Sequence, residues 1–308
     1  MIGRLCSPRL ILILIAMAWP GLSQALTIES EQQFQFAETL YNGHQYRRAA
    51  EEYQRFAFFF PADSRQRQAL FKAGQALLLA KDPVSALDRF KQLTTREDLD
   101  SIVVESYFMM VECYLQMNGM PHAVLELNNL ITQSDDNEVR DRAYYRMGWL
   151  YIDQTDWPAA RKAFDKISTT QRRHYRIDDL ERELGQTSQL PVRNPTLAGT
   201  LSIIPGAGQL YCNRYEDALI AFAVNLGLFW AAHDAFDQDQ YALGGLLSFA
   251  GLGFYAGNIY SAVGDAHKFN QRQKRRFGES LRRYVVLGIG PQVPWSSDSV
   301  LFSLHVPF

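Results

Sequence analysis

The chain has 308 residues and a mass of 35.2 kDa, about two domains' worth of polypeptide. With 47% hydrophobic and 21% charged residues, it is excluded from the disordered and low-complexity classes. A formal charge of −2 (31 basic against 33 acidic residues) excludes nucleic-acid binding through the overall field, and three cysteines exclude a disulfide framework or a Cys-rich zinc site.

In chain order, Arg4 and Arg9 precede an uninterrupted apolar run over 10–19, followed by Pro20-Gly21 and Ser23-Gln24-Ala25. A basic start, a short apolar segment and small residues at −3 and −1 predict a secretory signal peptide over 1–25, with export of the rest of the chain. The competing reading is an uncleaved anchor, for which the run is short. Cys6 stands before the apolar run, not after it, so it is not placed as a lipoprotein cysteine.

The next segment is periodic. Ala49, Ala86, Ala123 and Ala160 are spaced by 37 residues. Twelve residues before each stands Ala37, Gly74, Val111 or Gly148, and three beyond those come Leu40, Leu77, Tyr114 and Tyr151. Four after the alanines lie Tyr53, Phe90, Leu127 and Phe164, and three further Phe56, Leu93, Leu130 and Ile167. Five columns in register predict four helix pairs over 28–170. A small residue in helix A and the alanine in helix B let two antiparallel helices approach, while the large columns fill the space around that contact. Asn42-Gly43, Lys81-Asp82-Pro83, Asn118-Gly119 and Thr155-Asp156 supply the turns, and Pro61 stops the first helix B. Each pair has two apolar faces and must stack on a neighbour, giving a short solenoid. Residues 171–190 read as a capping helix and linker, with Ile177, Leu180 and Leu184 on one face.

This pattern resembles the tetratricopeptide repeat (TPR), at a period a few residues longer than that family's usual one. The resemblance implies a solenoid that binds a protein or peptide ligand in its groove. Phe34, Phe71, Phe108 and Tyr145 recur at the same spacing, three residues before each small residue. Together with Tyr41 and Trp149 they either line that groove or lie buried between neighbouring repeats.

Beyond Pro195 the composition turns apolar. Residues 218–236 are apolar apart from Asn225, His233 and Asp234, and 241–263 apart from Asn258 and a few hydroxyls. Both stretches can cross a hydrocarbon core of about 30 Å, so 193–267 reads as a membrane module carrying a transmembrane helical hairpin. A pair of buried helices in a soluble domain is the competing reading. Gly253, Gly257 and Ser261 form a small-residue line of the kind that packs membrane helices.

Ahead of the hairpin runs Leu201-Ser-Ile-Ile-Pro-Gly-Ala-Gly-Gln-Leu-Tyr211. Tyr211 stands where a dinucleotide fingerprint needs its third glycine, which removes that reading. A helix broken at Pro205-Gly206 fits better; its freed backbone groups need partners, and Gln209 is available as one. The motif Pro205-Gly206-x-Gly208-Gln209-x-Tyr211, followed by two apolar helices and by Phe254-Tyr-Ala-Gly257-Asn258-Ile-Tyr260, resembles an uncharacterised bacterial membrane family. That resemblance implies an envelope membrane protein and supplies no catalytic residues.

Topology cues conflict. Two spans place the exported repeats and the tail on one side, yet the tail carries Lys268, Arg272, Lys274, Arg275, Arg276, Arg282 and Arg283, which the positive-inside rule assigns to the cytoplasm. Counting 197–211 as a third, broken span reconciles the two; re-entrant insertion is the alternative. Residues 268–308 form a basic segment and a C-terminal β tail, since Val300, Phe302, Leu304, Val306 and Phe308 alternate and 283–289 can pair with them as a short β-hairpin.

His44, His122, His174, His233, His267 and His305 show no metal-ligand spacing, and no nucleophile elbow or phosphate loop occurs. The sequence therefore predicts a non-catalytic envelope scaffold of all-α class with no cofactor, metal or nucleic acid. Its TPR-like domain lies in the periplasm, tethered to the bacterial inner membrane by C-terminal helices that meet the lipid bilayer or another membrane protein. The alternative is an accessory factor in outer-membrane protein assembly or envelope biogenesis, against which the missing lipidation cysteine and the added membrane helices argue. An enzyme or transporter would gain support if Asn225, His233, Gln209 and Asn258 converged on one cavity.

Overall fold

The computed structural model describes residues 29–95 and 98–288, with side chains through Arg283. The signal-peptide segment, Cys6 and the alternating run at 300–308 lie outside the described residues. Among the described residues all regular structure is helical, in two compact units that part at Cys113–Tyr114.

The first unit holds α1 (Ser30–Asn42), α2 (Tyr46–Phe59), α3 (Gln66–Leu79), α4 (Pro83–Thr94) and most of α5 (Ser101–Gln116). These helices pair because the periodic columns face each other: Ala37, Ala49, Tyr53 and Phe56 are fully buried in the first pair, as are Ala86 and Phe90 in the second. A Cβ on Gly74 would lie 2.6 Å from the Phe90 ring, a distance real side chains do not tolerate, so the glycine is set by the phenylalanine it faces. Polar ties act within the first pair and between successive pairs. Tyr53 donates to Glu38 Oε1 at 2.7 Å, the same oxygen meets Lys72, and Arg67 Nη2 donates to Asp100 Oδ1 at 2.9 Å. Arg65 donates to both oxygens of Asp63, holding that carboxyl well below the usual carboxylate range. Burial pushes the Cys113 thiol up to about 12, so it stays protonated and unreactive.

The turn inside each pair repeats as faithfully as the core. His44, Lys81, Asn118 and Thr155, again 37 residues apart, all adopt left-handed backbone with φ of 57–61°. One residue further on, the N–H of Gln45, Asp82, Gly119 or Asp156 donates to the carbonyl five positions back, at 2.7–2.9 Å. This is the Schellman closure of a helix C-terminus. Asp82 and Asp156 then cap the next helix by accepting from Ser85 N and Ala159 N.

The second unit continues with α6 (Met120–Gln133), α7 (Asn137–Asp153), α8 (Trp157–Phe164), α9 (Thr169–Arg172) and α10 (Ile177–Gly185), then a 3-10 turn (Gln186–Gln189). Gly148 takes the place of Gly74 here, pressed against Phe164 so closely that a Cβ would overlap the ring. Asp141 is buried and accepts from Ser168 N at 2.9 Å and from the Ser168 hydroxyl. Ile177, Leu180 and Leu184 of α10 are fully buried in the core of this last pair.

After Leu190 come two short helices, α11 (Pro195–Leu201) and α12 (Ala207–Tyr211), and two long ones, α13 (Tyr215–Asp237) and α14 (Tyr241–Gly288). Both long helices are apolar and long enough to cross a membrane, and they leave Leu219, Trp230 and Phe249 more than two-thirds exposed. The helix expected over 197–211 is broken at Pro205-Gly206, and its two short parts, α11 and α12, fold against α14, where Ala198, Cys212, Ala262 and Ala266 make a small core. One expectation is corrected: residues 283–288 form the end of α14 and not a strand.

The end of α14 docks on the last repeat through a few side chains. Leu281 is buried among Tyr145, Trp149, Ile152 and Leu180, and the Phe277 ring meets Trp157 edge-on at 5.6 Å. Gly278 approaches Ile152, and Arg282 pairs with Asp153 at 2.5 Å while lying over the Trp149 ring. The basic segment is thus a helix seated on α7 and α8.

Gly148→Val is expected to lower the thermal midpoint of the helical signal by several degrees, the effect of roughly 1–3 kcal/mol of overpacking. Circular dichroism of the detergent-solubilised variant checks it; an unchanged midpoint would show that Phe164 can move aside.

Candidate functional site

The periodic aromatics serve mainly the core. Phe34 packs edge-on against Tyr53 and Phe56 at 5.8 and 5.2 Å, and Tyr145 stacks on Tyr175 at 4.3 Å. Phe34, Phe108, Tyr145 and Trp149 are all buried. The reason is helical geometry: a residue three before the small position shares its face, so its ring falls over the same A–B contact. Phe71, edge-on to Phe90 at 5.6 Å, and Tyr41, edge-on to Tyr46, keep half-buried rings that reach the surface.

A different pair of aromatics stands free. Phe58 and Phe59, at the end of α2, are 77% and 64% exposed. They border a pocket of about 630 Å³ with Leu70, Arg55, Arg89 and Glu51 in its wall. They fall outside every periodic column, so the repeat pattern does not point to them; the run Phe58-Phe59-Phe60-Pro61 is the one signal the sequence holds.

In the second unit, the glycine motif builds a tight joint. Asn194 caps α11 by accepting from Thr196 N and Leu197 N, and the chain then turns at Pro205-Gly206. Gly206 has φ +87°, and a Cβ there would overlap the Ala218 carbonyl; a Cβ on Gly208 would overlap Ser202 Oγ and the Ala198 carbonyl. The freed carbonyls find partners on α14: Asn258 Nδ2 donates to Ser202 O at 3.3 Å, and the Tyr255 hydroxyl to Ile203 O at 3.0 Å. Gln209 does not cap the break itself. It donates to Asn258 Oδ1 and O at 2.8 and 3.1 Å and so orients the residue that does. Tyr211 lies under the Arg193 guanidinium, its hydroxyl accepting from Asn194 N, while Arg193 and Asn270 exchange two hydrogen bonds through N and O of the Arg193 backbone.

α13 and α14 pack closely at one end, where Gly244 lies under Phe236, and separate toward the other around a cleft of about 590 Å³. Gly253 and Gly257 border that cleft, and a Cβ at either would meet nothing within 4 Å. Gln209, Asn225 and Asn258 converge there, whereas His233 is exposed and pairs with Asp237 at 3.3 Å. Asn225 is buried and donates to Ala221 O, but its Oδ1 and the Gln209 Oε1 have no hydrogen-bond partner. At the cleft's charged end, the buried Asp265 pairs with Arg214 at 3.2 Å. The convergence therefore supplies amides and a closed ion pair, not a nucleophile beside a base. Among the described residues no group of three or more His, Cys, Asp or Glu could hold a metal ion.

Because Phe108 is core, Phe108→Ala is expected to cost about 3–5 kcal/mol, against under about 1.5 kcal/mol for Tyr41→Ala. Comparison of their thermal midpoints with wild type checks the assignment; equal small losses would return Phe108 to the surface.

A family model described as a tetratricopeptide repeat matches residues 142–169, most of α7 and α8 with the turn between them. No curated protein matches the chain. Residues 142–169 are thus similar to a tetratricopeptide repeat, a module of protein–protein interaction, and the helix pairs that precede them repeat the same arrangement.

Proposed function

We propose that the chain is a non-catalytic scaffold whose repeats bind a protein or peptide partner while the α13–α14 hairpin tethers it to the bacterial inner membrane. The observation that carries the interaction half is the exposed Phe58–Phe59 pair beside its pocket. Aromatic side chains in that setting are what interfaces use as anchors, and Arg55, Arg89 and Glu51 provide a polar rim. Tyr41 and Phe71 are the groove candidates whose rings keep accessible surface, and they join this proposal.

The tether reading rests on two long apolar helices with outward-facing Leu219, Trp230 and Phe249. Docking of α14 on the fourth repeat favours an even number of crossings between them, with repeats and basic segment on one side. The signal-peptide reading of 1–25 favours the periplasm for that side. The basic residues count less against this than their number suggests, since the segment is a docked helix with Arg282 paired to Asp153 and Lys268 beside Asp265.

A photo-crosslinker at Gln92, in the wall of the Phe58–Phe59 pocket, is expected to give one discrete adduct in cells, and Phe58→Ala with Phe59→Ala to remove it without changing the helical signal. Persistence of the adduct would move the partner surface elsewhere. For topology, single cysteines at Gln45, Gln238 and Gln273 are expected to label from the periplasm at the first and third and to be protected at the second. Protection at Gln273 with labelling at Gln45 would mean an odd number of crossings; the reverse pattern at all three would place the repeats in the cytoplasm.

A further inference from the structure

We propose that the face of α14 turned away from the last repeat binds the anionic phospholipid headgroups of the membrane that the helix leaves. The inference rests on the tether reading above and extends it to the chemistry of the lipid. Its starting point is the direction in which the basic segment points. At about 100° per residue, Phe277, Gly278 and Leu281 share one side of the helix, and these are the residues seated on the last repeat. Lys268, Arg272, Arg275, Arg276 and Arg283 fall on the opposite side, within about 50° of a common line, and all five are exposed. Glu279 is the single acid on that line. Lys268 lies 3.9 Å from Asp265, whereas Arg272, Arg275, Arg276 and Arg283 have no carboxylate partner among the described residues. Docking thus covers the apolar side and leaves the basic side uncompensated.

Two independent features set the level of the bilayer surface. α13 begins at Tyr215, which is 65% exposed and directly follows Arg214. The apolar stretch of α14 ends at Val263, two residues before Asp265. The Arg214–Asp265 pair at 3.2 Å ties these two ends at one height, and tyrosine and arginine at helix ends are what anchors a membrane–water interface.

From Asp265, at about 1.5 Å per residue, Lys268 stands about 5 Å out, Arg272 about 10 Å and Arg276 about 16 Å. The headgroup layer is about 5–8 Å deep on each side of the hydrocarbon. Side chains of a helix lean toward its N-terminus, which for α14 is toward the bilayer, and long basic side chains extend further that way. Lys268 and Arg272 therefore reach the headgroups, and Arg275 and Arg276 stand about a Debye length from them. The Arg193 guanidinium, over the Phe269 ring at 5.3 Å, adds another cation at this height. A headgroup that carries its own ammonium offers no net charge to this surplus, whereas an anionic one does.

The test is native mass spectrometry of the full chain in detergent, with phosphatidylglycerol and phosphatidylcholine of the same acyl chains added in equal amounts. The wild type is expected to retain the anionic lipid about tenfold over the zwitterionic one. Arg272→Gln, Arg275→Gln and Arg276→Gln together are expected to bring the ratio near one with an unchanged helical signal, while Arg272→Lys, Arg275→Lys and Arg276→Lys keep it. Removing the same charge elsewhere, by Lys162→Gln, Lys166→Gln and Arg173→Gln, is expected to leave the wild-type ratio. A ratio near one in the wild type overturns the proposal, as does a preference that survives the three glutamines, is lost with the three lysines, or falls equally in the control set. An acidic protein that fills this face in place of lipid overturns it too. Carbonate extraction of native membranes separates the two levels: a chain that stays embedded without a lipid preference removes only the headgroup site, while an extracted chain removes the tether reading as well.

Discussion

The second unit is organised by the return of α14 to the fourth repeat. An apolar helix that ended at the membrane edge would leave the basic segment free to choose its side. Instead Phe277 and Gly278 meet Trp157 and Ile152, Leu281 joins the core of α7 and α10, and Arg282 reaches Asp153. Burying a leucine and most of a phenylalanine in this way is worth several kcal/mol of apolar transfer, far more than the exposed ion pair beside it contributes. The hydrophobic contact fixes the arrangement, and the salt bridge sets its register.

The same economy of contacts governs the joint at Pro205-Gly206. Breaking a helix there exposes the carbonyls of Ser202 and Ile203, and each is met by a side chain of α14. Asn258 can do this only while Gln209 holds it, and Gln209 can approach only because residue 208 has no side chain. The motif is therefore one interlocked unit in which glycines give access and amides close the open groups. An aliphatic residue at position 258 would leave Ser202 O unsatisfied and the Gln209 amide with only the backbone carbonyl of residue 258.

Much of this is legible in the sequence. The 37-residue columns point to helix pairs because close packing demands the same small and large residues at each recurrence, and a period survives in one sequence without any structure. The left-handed turn residues His44, Lys81, Asn118 and Thr155 obey the same period but share no chemistry, so only the backbone reveals them. The aromatic column is visible, yet a period states that positions are equivalent, not which way they face; the structure turns Phe34, Phe108 and Tyr145 inward. Two features have no local signature. The seating of α14 on the last repeat joins residues more than a hundred positions apart, and the carbonyls freed at the α11–α12 break are met by side chains more than fifty positions on.

The unbroken α14 also sets a phase. From Asp265, at the charged end of the cleft, to Leu281, in the core of the last repeat, the helix climbs sixteen residues, about 24 Å, without an interruption. It works as a spacer of fixed length and fixed rotation. One residue inserted in that stretch would turn the docking face by about 100° and present Arg276 and Ser280 where Phe277 and Leu281 now sit, whereas seven would restore the face to within about 20° and shift the repeat by about 10 Å. The distance between the charged end of the cleft and the fourth repeat can thus change only in steps that return the docking face, such as seven or eleven residues.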